Sequence, residues 1–210
     1  MKLYDAVWAP NPRRVRIVLA EKAVQIETVT VDLGAGENRA EPFLSKNPRG
    51  TVPVLELEDG TVIADSVAIS RYVEALHPEP PLFGRSPLEA ALIEAWTRRI
   101  EGEGYAAVVY AFRNRSKAMT DRALSGHWPP IPQLPELVER GRTMWPLFVE
   151  TLEAQLQGRE WIVGDRFSFA DVTALITVDF AVATRLSDGS FPPALAAWHA
   201  RASARPSANA

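Results

Sequence analysis

The sequence predicts two domains, a small mixed α/β domain over residues 1–77 and an all-α domain over 88–210. The first region alternates strand-like and helical patterns in the order β-α-β and then β-β-α, which favours a mixed sheet with helices on its faces. Residues 78–87 are dense in proline and interrupt every periodic pattern, so we expect a linker there. The remainder repeats apolar residues at helical spacing, which is typical of packed helices.

The opening of the α/β domain is predicted as strand, helix, strand. Residues 2–6 form a short strand pattern. Asn11 is typical of a helix N-cap with Pro12 at the first helical position, so we expect the first helix to begin there. Residues 26–33 alternate and are rich in β-branched side chains, which predicts the second strand.

A hairpin and a helix complete this domain. The runs 54–57 and 61–64 read as strands on either side of Asp59-Gly60, a dipeptide that favours a tight hairpin turn. Ser66 then opens a segment whose apolar residues recur at helical spacing.

Four helical segments are expected after the linker. Apolar stripes predict one helix directly after it and another after the irregular, proline-rich loop 126–132. Further helices are predicted near Ser168 and Pro193. Ser168 and Asp171 have the spacing of a capping box, a structural role worth about 1 kcal/mol.

Composition narrows the functional classes. The net charge of −3 argues against a nucleic-acid footprint, and no apolar run reaches the length of a membrane span. The chain begins with a strand pattern rather than a signal segment, so a cytoplasmic enzyme is expected.

The absence of cysteine is informative about chemistry. It removes structural disulfides, thiolate metal sites and protein thiol nucleophiles together. Any sulfur chemistry must therefore come from a bound thiol. The histidines His77, His127 and His199 lie far apart without ligand spacing, so no metal site is expected.

The motif most informative about a ligand is N-P-R-G-T-V-P-V-L at 47–55, followed ten residues later by Asp65-Ser66. Pro53 at the head of a strand cannot donate to the ladder. Such a bond is sometimes cis, which leaves the N–H and C=O of Val52 free to meet a peptide-like ligand. A helix that begins with Asp-Ser offers N–H groups to an anion and a carboxylate to an ammonium group. Together these features suit a small zwitterionic peptide.

These motifs resemble those of the cytosolic glutathione transferases, the bacterial members in particular. The resemblance covers essentially the whole length, and its remaining residues are Lys2-Leu3-Tyr4, the run from Ala9 to Arg16 and the run from Gly164 to Asp171. It implies a thioredoxin-like α/β domain with a mixed sheet, followed by an all-α domain that lines an electrophile pocket. It also implies glutathione as co-substrate and a homodimer.

The resemblance assigns glutathione-binding roles to particular residues. Val52, next to Pro53, is expected to pair through its main chain with the cysteinyl part. Ser66 and its helix N-terminus are expected to bind the γ-glutamyl carboxylate and Asp65 the ammonium group. The alternative is that Asp65 and Ser66 only cap the helix. Candidates for the glycyl carboxylate are Asn38, Arg39 and Lys46.

The sulfur is expected near the N-terminus of the first helix, held as thiolate. An ordinary thiol has a pKa of about 8.5, and lowering it by two units requires about 2.7 kcal/mol. A helix N-terminus supplies about 0.3–1 kcal/mol, and about 2 when partly buried, so nearby donors must supply the rest. Related bacterial members often have Ser-Pro-Asn where this chain has Ala9-Pro10-Asn11, and the methyl group of Ala9 cannot donate.

Asn11 is therefore the predicted catalytic donor, through its side-chain amide. The alternative is that Asn11 only caps the helix. Trp8 and Arg13 complete the candidates for the glutathione site, Trp8 as a wall beside the acceptor and Arg13 as an electrostatic helper. For these two the alternatives are plain packing and a solvated charge.

The electrophile pocket is expected along residues 100–113. Its candidate lining residues are Tyr105, Tyr110 and Phe112, although core or dimer contacts are equally consistent with them. Gly102 and Gly104 interrupt this helical stretch, which suggests close approach of a ligand or a partner subunit.

Three functions remain open at this stage. The first is conjugation of the glutathione thiolate to small apolar electrophiles, a detoxification role. The second is a glutathione-dependent disulfide reductase or lyase that uses a second glutathione. The third is a non-catalytic glutathione-binding module, which Ala9 motivates.

Overall fold

The computed structural model describes all of residues 1–210. The N-terminal domain contains a four-stranded mixed sheet. The elements in chain order are β1 (Lys2–Asp5), α1 (Pro10–Glu21), β2 (Glu27–Thr30), α2 (Phe43–Lys46), β3 (Val54–Glu56), β4 (Val62–Ile63) and α3 (Ser66–Leu76). The strand order is β2-β1-β3-β4, with β1 parallel to β2 and antiparallel to β3, and with β3 antiparallel to β4. The predicted mixed sheet is confirmed.

The helical half follows α3. Its helices are α4 (Pro87–Arg99), α5 (Ala106–Arg115), α6 (Pro135–Leu156), α7 (Phe169–Ala183) and α8 (Pro193–Ser203). A π-helical segment, Ile100–Tyr105, joins α4 directly to α5. No helix has both the length and the apolar character needed to cross a bilayer. The predicted all-α domain is confirmed.

The predicted start of α1 at Asn11 is wrong by two residues. The helix begins at Pro10, and Ala9 is its N-cap, with the Ala9 C=O accepting from the N–H of Arg13 at 3.2 Å. Pro10 suits the first helical position because its missing N–H would be unpaired there in any case. Asn11 is thus the second residue of the helix and caps nothing.

The second strand is shorter than predicted because the chain turns at Asp32. The Asp32 carboxylate accepts from the N–H groups of Gly34 and Ala35 at 2.8 and 3.0 Å. Val31 still donates to the Asp5 C=O at 2.7 Å, and the side chain-to-backbone turn replaces the ladder bonds that residues beyond Val31 would otherwise make.

Helix α7 is the centre of the helical half, and its N-terminus carries the predicted capping box. The Asp171 carboxylate accepts from the N–H of Ser168 at 2.9 Å, the N–H of Ile162 at 3.0 Å and the indole N–H of Trp198 at 2.8 Å. Burial raises the pKa of Asp171, and these hydrogen bonds oppose the rise. The box therefore ties α7 to α8 and to the loop before it.

The two halves share one hydrophobic core, which extends from the sheet through α1 to α7. The segment between α3 and α4, our proposed linker, contributes buried Leu82 and Phe83 to this core. Phe83 stacks on Phe169 of α7 with ring centroids 4.4 Å apart. The halves are therefore fixed relative to each other by packing on both sides of α1.

Gly104 in the π-helical segment serves packing within the chain, rather than the close approach of a ligand or a partner subunit expected from the sequence. A Cβ on Gly104 would lie 2.6 Å from the ring of Phe148 on α6, whereas a Cβ on Gly102 would meet nothing within 4 Å. Phe148 is fully buried, so its ring lies within the packed core.

We expect Gly104→Ala to destabilise the protein by about 1–3 kcal/mol, because the added methyl group overpacks the core. The matched control is Gly102→Ala, which should be neutral or stabilising by up to about 1 kcal/mol because it enters open space in a helical segment. Equilibrium denaturation with a common m-value checks this. Equal destabilisation by the two variants would contradict the packing explanation.

Candidate active site

A cavity of about 530 Å³ lies between the sheet domain and the helical domain. The sheet domain contributes the N-terminus of α1, the loop before α2 and residues 50–52. The helical domain contributes Tyr105, the last turns of α5, the loop after α5 and Phe180 of α7. Neither half alone forms the walls.

Asn11 lies at the end of the cavity that is lined by the N-terminus of α1. It lines the cavity with Ala9 and Pro10, and its side-chain amide faces the hydroxyl group of Tyr105. Burial raises the pKa of Tyr105, against smaller opposing effects of Arg14, Arg113 and the Asn11 amide. The Tyr105 phenol is therefore a neutral hydrogen-bond donor at physiological pH, next to the positive end of α1.

The main chain of Val52 lines the cavity and has free hydrogen-bonding groups. The Val52-Pro53 peptide bond is cis, and neither the N–H nor the C=O of Val52 has a hydrogen-bond partner in the protein. Side-chain amides hold the preceding loop: Asn38 donates to the Gly50 C=O at 2.6 Å and Asn47 donates to the Thr51 C=O at 2.8 Å. A rigid loop thus presents a free peptide group to the cavity.

Asp65 and Ser66 begin α3, close to α1 but outside the set of residues that line the cavity. One carboxylate oxygen of Asp65 accepts from the N–H groups of Val67 and Ala68 at 2.8 and 2.9 Å. The buried Ser66 hydroxyl accepts from Arg14 at 3.2 Å. Asp65 therefore does cap its helix, and its second oxygen remains without a protein partner.

The remaining predicted residues divide between the cavity and its surroundings. Trp8 lines the rim with 64% of its surface exposed, and Arg39, Tyr105 and Phe112 also line the cavity. Tyr110 does not line the cavity and is partly exposed.

Arg13 and Lys46 are engaged elsewhere. The Arg13 guanidinium donates to Asp179 of α7 at 2.6 Å and to the C=O of Ala208 at 3.0 Å. Lys46 is bound to both carboxylate oxygens of Glu56 at 3.0 Å. Both side chains bind within the protein instead of facing the cavity.

Two arginines of the helical domain were missed from the sequence. Arg113, in the last turn of α5, and Arg122, in the loop after it, both line the cavity. A signal for Arg113 was available, because it lies eight residues after Tyr105, a spacing that belongs to one stripe of a helix. Arg122 had none, since its position depends on how its loop folds back.

Comparison with known proteins identifies the family. The family model described as glutathione S-transferase, N-terminal domain, matches residues 8–76, and the corresponding C-terminal domain model matches residues 118–206. Glutathione S-transferase 2 of Saccharomyces cerevisiae is 36% identical over 99% of this chain and 87% of its own length. The chain belongs to the glutathione S-transferase family.

Solved structures of similar proteins agree with the fold. A glutathione S-transferase domain-containing protein of Marinobacter aquaeolei is 38% identical with a TM-score of 0.88, and each chain is covered to 99%. The β-etherase LigF of Sphingobium sp. is 25% identical with a TM-score of 0.82, covering 98% of this chain and 96% of its own. The resemblance inferred from the motifs is confirmed, and the family is one of transferases.

The contacts of Arg13 make Asp179 a source of pH-dependent stability. Partial burial raises the pKa of Asp179, but hydrogen bonds from His199 at 2.7 Å and Arg13 at 2.6 Å outweigh it, so the pKa lies below its ordinary value. A carboxylate with a lowered pKa stabilises the fold above its unfolded-state pKa, and this stability is lost as the pH falls through the folded-state value.

We therefore expect Asp179→Asn to lower the free energy of unfolding at neutral pH, and the difference from wild type to shrink as the pH falls below about 4. Denaturation midpoints measured across this range check it. The control is Asp188→Asn, an exposed aspartate without an ion pair, which should leave the pH profile unchanged. A pH-independent difference for Asp179→Asn would refute the linkage.

Proposed function

We propose that the protein binds glutathione in the interdomain cavity and transfers its thiolate to a small electrophile. One observation carries the proposal: the free peptide group of Val52 and the N-terminus of α1 line the same cavity. A peptide ligand can pair with the first while its thiolate is stabilised by the second.

The two ends of the tripeptide have separate binding groups in this proposal. The γ-glutamyl end binds at the start of α3, where the free oxygen of Asp65 accepts from the ammonium group and Ser66 and the helix N-terminus hold the carboxylate. The glycyl carboxylate binds toward Arg39, which also lines the cavity. Arg14 positions Ser66 through its hydrogen bond and is itself held by Glu101 at 2.8 Å.

Thiolate formation requires no serine or tyrosine hydroxyl at position 9. The α1 N-terminus supplies up to about 2 kcal/mol of the roughly 2.7 kcal/mol that a two-unit shift requires. The Asn11 amide adds about 1 kcal/mol as a neutral donor. No aspartate or glutamate lines the cavity to oppose the anion.

A glutathione-dependent lyase is the second candidate, favoured over a reductase by the similarity to the β-etherase LigF. It would use the same bound thiolate, so the two activities differ in the acceptor rather than in the activation of sulfur. The non-catalytic module predicts glutathione binding without thiolate formation. The family also motivates our proposal of a cytoplasmic role in detoxification.

A homodimer is proposed through α4. Leu88 and Leu92 lie one helical turn apart on one face, 69% and 46% exposed, next to the partly buried Trp96. Solvent-facing leucines in one row on a helix favour burial against another chain.

We expect Asn11→Ala to raise the pKa of bound glutathione by about one unit, because it removes the amide donor. Glutathione should still bind, since Val52 and Asp65 are intact. Ultraviolet titration of the bound thiolate and calorimetry check the two statements separately. Ser45→Ala, an exposed change away from the cavity, is the control.

Each alternative outcome has a defined meaning. Binding without any thiolate signal in wild type would establish the non-catalytic module. No calorimetric binding of glutathione at all would refute the assignment of this cavity. An unchanged thiol pKa in Asn11→Ala would remove Asn11 from the catalytic role.

We expect Leu92→Glu to convert a dimer into a monomer, because burying an unpaired carboxylate at an apolar interface is strongly unfavourable. Sedimentation analysis checks this. Leu147→Glu changes an equally exposed leucine on α6 and should leave the dimer intact. A monomeric wild type, or dissociation by the control alone, would refute the α4 interface.

A further inference from the structure

The interdomain cavity carries an excess of positive charge. Its walls contain Arg39, Arg113 and Arg122 and no aspartate or glutamate, although the chain as a whole has a net charge of −3. None of the three arginines forms an ion pair with another part of the protein. Such a cavity favours anionic ligands.

Arg113 is the most constrained of the three. Its Nε donates to the Ser125 hydroxyl at 3.0 Å and its Nη1 to the Arg122 C=O at 2.7 Å. Its Nη2 has no protein partner and is not enclosed by the protein. Burial lowers the pKa of Arg113, Tyr105 opposes this effect, and the charge of Arg122 adds a smaller lowering. The guanidinium is thus held in one orientation, partly desolvated and without a counter-charge.

An aromatic wall lines the same cavity as this guanidinium. Phe180 contacts Tyr105 and Phe112, with ring centroids 5.9 and 5.6 Å apart, and all three side chains line the cavity. An aromatic surface beside a fixed cation suits a planar ring that carries an anionic group.

In the proposed binding mode, the glycyl carboxylate of glutathione lies near the other two arginines. Arg39 and Arg122 also line an adjoining recess of about 270 Å³, together with Gly36 and His127. Arg113 does not line that recess. A glycyl carboxylate bound toward Arg39 therefore lies near Arg122, whereas Arg113 lines only the main cavity, together with Phe112 and Phe180.

We propose that the acceptor substrate is an aromatic electrophile bearing a carboxylate group, which binds the free Nη2 of Arg113 while its ring packs on Phe112 and Phe180. This inference rests on the proposed glutathione transfer and replaces the apolar electrophile expected from the sequence with an anionic one. Arg113 is a specificity-determining residue in this arrangement.

The test compares a chlorodinitrobenzoate with the matching chlorodinitrobenzamide. In both reactions the glutathione thiolate attacks the ring carbon that carries chlorine, so a C–S bond forms, the C–Cl bond breaks and chloride leaves. The kcat/KM for each acceptor is divided by the rate constant of its uncatalysed reaction with glutathione. We expect wild type to favour the benzoate by at least about tenfold, the effect of one charge-assisted hydrogen bond.

Arg113→Gln should bring the benzoate-to-benzamide ratio close to one, and Arg113→Lys should give an intermediate ratio. The matched control is Arg115→Gln, which makes the same charge change on the same helix outside the cavity and should retain the wild-type ratio. Circular dichroism of each variant establishes that it is folded, and the lysine variant supplies the test if the glutamine variant is not.

Three results would overturn the inference. One is a wild-type ratio near one, and another is a ratio that Arg113→Gln leaves unchanged. The third is a rise in the KM for glutathione that is equal with both acceptors, which would make Arg113 a glutathione-binding residue. If neither acceptor reacts, the transferase proposal fails separately, and calorimetric binding of dinitrobenzoate against dinitrobenzamide still decides the role of Arg113.

Discussion

The structure depends on how helix α1 is held between the sheet domain and α7. Its apolar side packs into the shared core, and Arg14 on it is fully buried between the hydroxyl of Ser66 and the carboxylate of Glu101. Removing one partner of a buried ion pair commonly costs about 3–5 kcal/mol, because the other charge remains desolvated. The position of α1 relative to both domains is therefore tightly determined.

This constraint explains why the cavity lies at the domain boundary. The end of α1 that carries the positive partial charge opens onto the interdomain space, whose other wall is α5. The π-helical segment determines the position of that wall. It places Gly104 against Phe148, which brings Tyr105 toward Asn11 while α6 closes the core behind it. The packing of Gly104 on one side of the segment therefore determines the position of Tyr105 in the cavity on the other side.

The fold class was predictable because its signals are local. Strand alternation, the Asp59-Gly60 turn and the Ser168 capping box each depend on residues close together in sequence. The start of α1 was placed wrongly because Pro10 and Pro12 are both acceptable early helix residues, and only the hydrogen bond from Arg13 to Ala9 distinguishes them.

The parts of the site that sequence reasoning missed depend on long-range contacts. The loop after α5 folds back onto the sheet domain, where the N–H of His127 donates to the Arg49 C=O at 2.6 Å. Arg122 reaches the cavity only through this loop. Arg13 is taken up by Asp179, 166 residues away, which no local pattern of helix charges reveals.

In the proposed function, the electrostatics of the cavity account for the stabilisation of a thiolate by a chain without cysteine and with alanine at position 9. At an effective dielectric constant of about 20, one guanidinium roughly 8 Å from an anion contributes about 2 kcal/mol. The cavity holds three guanidinium groups and no carboxylate, so their field supplements the α1 N-terminus even when none touches the sulfur. A single donating side chain therefore supplies a smaller share of the thiolate's stabilisation here than it would in a neutral cavity. In our proposal the same field attracts an anionic acceptor, so one distribution of charge serves both the activation of sulfur and the selection of substrate.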